Sequence, residues 1–153
     1  MHSQRVLAII LMMTTISITL GSFPAHGQLE QTQLAVEISG VSKPEGQVCL
    51  NLFNSSNGFP SSREEAVQTL CIEMVEGPLV ATFEDLNPGS YAISVFHDAN
   101  GDNEFNRNFV GIPAEGFGFS RNPVALTGPP DFGDAAFLVA GTETRIEIEL
   151  NYF

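Results

Sequence analysis

The stretch "VFHDANGDNEFN" sets Asp98, Asn100, Asp102, Glu104 and Asn106 at every second position. Oxygen-bearing side chains at this spacing can curl onto one hard cation. Calcium takes about six to eight oxygen ligands, and an EF-hand loop supplies them from positions 1, 3, 5, 7 and 9. Counted from Asp98, the residues Asn100, Asp102 and Asn106 fall at 3, 5 and 9, while Glu104 falls at 7, where a backbone carbonyl usually serves. Asn103 stands where the sharp turn normally has Gly, and Asn tolerates left-handed backbone better than most residues. Phe109 holds the position of the usual bidentate Glu, so a closing carboxylate must come from elsewhere, with Glu115 as one candidate. No helices flank the loop. It is therefore expected to be a calcium-loop variant on a β scaffold, with an affinity of roughly 10⁻⁴ to 10⁻³ M. The plain alternative is a polar turn, because Asp, Asn and Gly are what turns are made of.

Other chemistries find less support. His2 and His26 lie in the N-terminal segment, which leaves His97 as the remaining histidine and excludes a site built on two His ligands. His97 is adjacent to Asp98, and successive strand residues point to opposite faces, so the two do not form an acid–base pair. His97 is expected to pack at a strand end, hydrogen-bonded to loop backbone. Neither a G-x-S-x-G nor a P-loop occurs. The expectation is a protein without catalytic or organic-cofactor residues.

The N-terminus reads as an export signal, with Arg5, an apolar run from Val6 to Leu20, and small residues Ala25 and Gly27 before a cut. Residues 1–27 would be removed, placing the protein in the periplasm or outside the cell with no transmembrane helix in the mature chain. The remaining chain of about 126 residues is one domain's worth and is long enough to bury a real core. Beyond residue 27 it carries five basic residues against 18 acidic ones, which excludes nucleic acid as a partner. An unidentified protein or a glycan is the expected partner class. The glycan reading is limited by the absence of Trp and the presence of only two Tyr. Cys49 and Cys71, both in strand-like runs and outside any C-x-x-C, are a candidate disulfide, with two buried thiols as the alternative.

The elements that must position these residues are strands. After a polar lead-in (28–33), period-two alternation marks "LAVEIS", "QVCLNLF", "LCIEMV", "LVATFE", "YAISVFH", "AAFLVA" and "TRIEIEL". Ser61 with Glu64 resembles a capping box for a short helical turn over Ser62 to Val67. Pro88-Gly89 fits a type II turn with Gly at positive φ. Strands of this length between Pro/Gly turns predict an all-β sandwich over 34–153, of Greek-key order and about seven strands. Residues 98–134 break the alternation but carry Phe105, Phe109, Phe117, Phe119 and Phe132, apolar mass that needs burial. A segment this long is expected to fold as an ordered excursion over one end or face of the sandwich.

Four blocks in order, "FEDLNPGSYAISVFHDANGDNEFN", "NFVGIPAEGFGFS", "GPPDFGDAAF" and "RIEIELNYF", resemble the secreted bacterial family known as domain of unknown function 2141. The turn "F-x-D-L-x-P-G-x-Y" is also similar to that of transthyretin-like and carboxypeptidase-regulatory-like sandwiches, which implies a prealbumin-type architecture. The family lends no catalytic residues. Its acidic loop usually reads H-D-x-N-x-N-G-x-x-D; here Asn103 replaces the Gly and Asn106 the final Asp. The combined reading is an exported, calcium-stabilised binding or surface module, with a carbohydrate-binding or carbohydrate-active accessory domain and a purely structural envelope protein as alternatives.

Overall fold

The computed structural model describes residues 31–124 and 128–153, so the expected signal segment lies outside the described residues. The described chain forms a β-sandwich of eight strands: β1 (Thr32–Ser39), β2 (Gln47–Phe53), β3 (Gln68–Glu73), β4 (Leu79–Leu86), β5 (Gly89–Asp98), β6 (Phe117–Phe119), β7 (Phe137–Val139) and β8 (Glu143–Glu149). One sheet runs β4-β1-β8, with β1 and β8 parallel; the other runs β3-β2-β5-β6, and β7 pairs the start of β5. β1 begins at Thr32, two residues before its alternation starts.

Alternation explains the core. Leu34, Val36 and Ile38 face Val48, Leu50 and Leu52, together with Ala81, Phe83, Ile93, Val95 and Ile148, all buried between the sheets. Exposed Arg145, Glu147 and Glu149 alternate with inward Ile146 and Ile148 along β8. β2 and β5 break this pattern. From Val48 to Phe53 and from Tyr91 to Asp98 every residue is buried, so both faces of these two strands are covered.

The cover on the outer face is the excursion between β5 and β7. It begins with the acidic loop, continues as a short hairpin in which Arg107 pairs with Pro113, and returns through β6 into the sheet. Phe105, Phe117, Phe119 and Phe132 turn toward the sheet, whereas Phe109 sits at the hairpin tip and is 99% exposed, against the expectation of burial. Bracing explains the exception. The Asn108 side chain accepts from the Val110 and Ile112 amides, both at 3.0 Å, and this turn carries Phe109 outward.

Three local expectations are corrected. Gly89 does not take positive φ; Asp85 does (59°), at the bulge where β4 slips against β1. The helical turn is a 3-10 turn over Arg63–Glu65 that starts from Ser62 without a side-chain cap, in place of a capping box at Ser61. The strand over-run near residue 117, hidden by surrounding Gly and Pro, adds β6 to the seven expected strands.

Cys49 and Cys71 stand directly opposite one another on β2 and β3 and are joined as a disulfide. Among the described residues no helix is long and apolar enough to cross a membrane.

Candidate functional site

The site begins where β5 ends. The His97 amide donates to the Gly116 carbonyl at 2.8 Å, which carries the β5–β6 pairing one step further and brings Glu115 beside Asp98. These two buried carboxylates hold the two ends of the acidic loop.

Asp98 closes the loop from within. Its Oδ1 accepts the Gly101 amide (2.7 Å) and the Asp102 amide (3.1 Å); its Oδ2 accepts the Asn103 amide (2.9 Å) and the Gln47 carboxamide (2.8 Å). A carboxylate offers about four acceptor sites, so Asp98 is saturated. Burial pushes its pKa up, but these four hydrogen bonds outweigh burial and hold it below the ordinary aspartate value. Asn103 takes φ of 63°, the conformation Gly usually supplies at this position.

Asp102 is the centre of the exposed half. Its Oδ1 accepts the Glu104 amide at 2.8 Å, and its Oδ2 accepts the side-chain amides of Asn100 (2.9 Å) and Asn106 (3.1 Å). The Glu104 amide and then the two asparagines lower its pKa. The Asn100 amide also donates to the Asn106 side-chain oxygen at 3.0 Å. Glu115 spans the neck, accepting the Ala99 amide (3.3 Å) and the Asn106 amide (2.9 Å). Burial, with the charges of Asp98 and Asp102 behind it, raises its pKa despite these bonds.

The structure thus brings together Asp98, Asn100, Asp102, Asn106 and Glu115, and leaves Glu104 out. The Glu104 side chain is exposed and turns to the neighbouring cleft. The oxygens left for a cation are those of Asp102, Asn106 and Asn100, the last two after a 180° turn of each carboxamide, which exchanges N–H for C=O. Among the described residues no cluster of three or more His, Cys, Asp or Glu side chains is arranged to hold a metal. In this conformation side-chain amides occupy the donor positions around Asp102 that an ion would compete for.

Beyond the loop lies a feature the alternation pattern alone did not reveal. The outer face of the larger sheet presents two cross-strand rows, Cys71–Cys49–Phe96–Phe117 and Thr69–Asn51–Ser94–Phe119. Phe105, delivered by the acidic loop, lies 6.0 Å from both Phe96 and Phe117, and Phe153 stacks on Phe117 at 5.5 Å. At the other end Phe59 packs edge-on against Phe53, Phe119 and Phe132. Between these clusters a cleft of about 780 Å³ opens over Asn51, Ser94 and Phe96. Arg63, Glu104 and Arg107 carry its charged side chains, and the Arg107 guanidinium lies 5.1 Å over the Phe105 ring. The signal for this second layer was the absence of charge across Val48–Phe53 and Tyr91–Phe96, the mark of strands covered on both faces.

His97 is buried, with Nε2 2.7 Å from the Glu45 carbonyl and Nδ1 2.9 Å from the Tyr152 hydroxyl. It packs at the strand end, bonded to loop backbone.

No curated protein and no solved structure matches this chain. A family model does: the one described as "Uncharacterized protein conserved in bacteria (DUF2141)" matches residues 36–147, which span both sheets, the acidic loop and most of the cleft. The chain belongs to the DUF2141 family.

Proposed function

We propose that the protein is an exported, non-catalytic binding module whose ligand sits in the phenylalanine-lined cleft and whose acidic loop responds to calcium. The observation that carries this reading is the path from Asp98 to Phe105. Asp98 and Glu115 brace the loop at both ends, and the loop's last residues, Asn103, Glu104 and Phe105, form one wall of the cleft. A binding site built this way has a rigid sheet as floor and an adjustable loop as wall.

Calcium fits the loop as a weak ligand. It would draw on Asp102, Asn100 and Asn106, with Glu115 as the nearby buried carboxylate, and would supply positive charge where side-chain amides now donate. Because hydrogen bonds within the loop are lost in exchange, an affinity of roughly 10⁻³ M is expected. The non-catalytic reading is supported by His97, whose two ring nitrogens are both engaged inside the fold.

The test is thermal unfolding of the purified protein in chelator and across a calcium titration to several millimolar. A melting temperature that rises with calcium in the wild type and not in Asp102→Ala/Asn106→Ala supports the calcium response, because only a ligand of the native state raises it. A flat titration removes calcium and leaves the loop as a self-braced wall.

A further inference from the structure

We propose that the cleft takes a small organic acid: an apolar or aromatic body carrying one anionic headgroup. This rests on the binding-module reading above and adds the class of ligand.

The body is defined by the floor. Phe96, Phe117 and Phe119 on adjacent strands, with Phe105 from the loop, present a continuous aromatic surface along one side of a cavity of about 780 Å³. Sites for small molecules fall at about 300–1,000 Å³ and are mainly apolar with a few placed polar groups.

The first polar group is Asn51. It is only 7% exposed and lines the cavity, yet its carboxamide makes no hydrogen bond among the described residues. Its neighbour in the same cross-strand row, Ser94, donates to the Pro60 carbonyl at 2.8 Å and is satisfied within the fold. Among the described residues no buried side-chain nitrogen or oxygen lacks a partner, so the Asn51 carboxamide is free only where it opens to the cleft. A ligand oxygen over the floor would accept from Asn51.

The headgroup is defined by charge. From residue 31 onward the cations are Lys43, Arg63, Arg107, Arg121 and Arg145, against seventeen carboxylates. Arg145 is paired with Glu143 at 2.6 Å, and Arg121 donates to the Ala136 carbonyl. Arg63 and Arg107 both line the cleft, and neither forms an ion pair among the described residues. Arg107 uses one N–H on the Gly111 carbonyl, at 3.0 Å, and stacks on Phe105, so most of its donors remain open beside the aromatic wall. Among the described residues Glu104 is the one acidic side chain that lines the cleft. Two arginines concentrated at an apolar cleft of a strongly acidic chain match an anion with an apolar tail.

The test uses 1-anilinonaphthalene-8-sulfonate and its uncharged counterpart N-phenyl-1-naphthylamine as fluorescent probes of the purified protein, with near-ultraviolet circular dichroism confirming native packing. The expected result is one-to-one binding of both, tighter for the sulfonate and displaced by decanoate. In Arg63→Gln/Arg107→Gln the sulfonate is expected to weaken about tenfold while the neutral probe changes less than about twofold. Arg63→Gln alone, at an exposed position, keeps the charge test intact if the double variant disturbs the hairpin. If both probes bind equally and the arginine variants change neither, the anion class is wrong while the cleft remains a binding site. If neither probe binds the native protein, the binding-module reading falls with it.

Discussion

The Tyr152 hydroxyl donates to Nδ1 of His97 at 2.9 Å, tying the chain's last residues to the end of its central strand. The direction follows from the other ring nitrogen. Nε2 faces the Glu45 carbonyl at 2.7 Å and must carry the proton, which leaves Nδ1 as acceptor. The Tyr152 oxygen accepts the Ser42 amide at 3.3 Å in turn. Asn151 pairs with Phe117 beside this contact, so the tail is held along β6 and Phe153 reaches the cleft.

Tyr152→Phe is therefore expected to cost about 1–2 kcal/mol, because a buried imidazole nitrogen loses its donor. A Cβ on Gly116 would overlap the Tyr152 ring, so Gly116→Ala should expel the ring and cost at least as much. Urea unfolding measures both; midpoints equal to wild type would contradict the latch.

Asp98 anchors the loop through four hydrogen bonds, three of them to consecutive backbone amides. Asp98→Ala leaves the Gly101 and Asn103 amides without acceptors and the Asp102 amide with the Asn100 side-chain oxygen alone, and should cost about 3 kcal/mol, with Asp98→Asn in between. Hydrogen exchange of Gly101, Asp102 and Asn103 should accelerate before the sheet amides do. Unchanged protection at these three would mean that the loop does not depend on Asp98.

Acid should first strengthen the fold and then weaken it. Folding raises the pKa of Glu115 above its ordinary 4.5, so the folded state favours the protonated carboxyl, and stability rises as the pH falls from neutral through that raised value. Asp98 and Asp102 behave oppositely. Their pKa values lie below 3.8 in the fold, so their contribution is present above that value and is lost as the pH drops through the lowered ones. Melting temperature against pH is expected to peak on the acid side of neutrality. The Glu115→Gln difference profile isolates the first limb from general charge repulsion; a rise of the same size in that variant would exclude Glu115 as its source.

The Cys49–Cys71 bridge touches the loop as well as two strands, because the Cys71 sulfur lies 3.8 Å from the Asn103 side-chain oxygen. Closing a loop of 22 residues in sequence stabilises by roughly 3 kcal/mol in the chain-entropy model. Cys49→Ala/Cys71→Ala should lose about that much and also loosen Asn103, read by exchange at its amide. A loss confined to global stability would separate the bridge from the loop.

Alternation by itself determined the sandwich: Leu34, Val36 and Ile38, or Ile146 and Ile148, have one face to bury, and period two leaves one arrangement for them. It also made residues 99–106 a loop, because Asp, Asn and Gly at that density close local hydrogen bonds more readily than a ladder. Only the tertiary structure decided what the loop's residues face. Glu115 meets Asp98 because β6 pairs with β5, a contact across 17 residues that no local spacing encodes. Asn51, Arg63 and Arg107 meet at one cleft because the excursion folds back over the outer face of β2 and β5. Glu104 stood in register with the other acidic residues yet turns away, since Asp102 and Asn103 bend the chain before it. Periodicity specifies which side of a strand a residue takes; which other residues share that side depends on strand pairing, and that is set by the whole core.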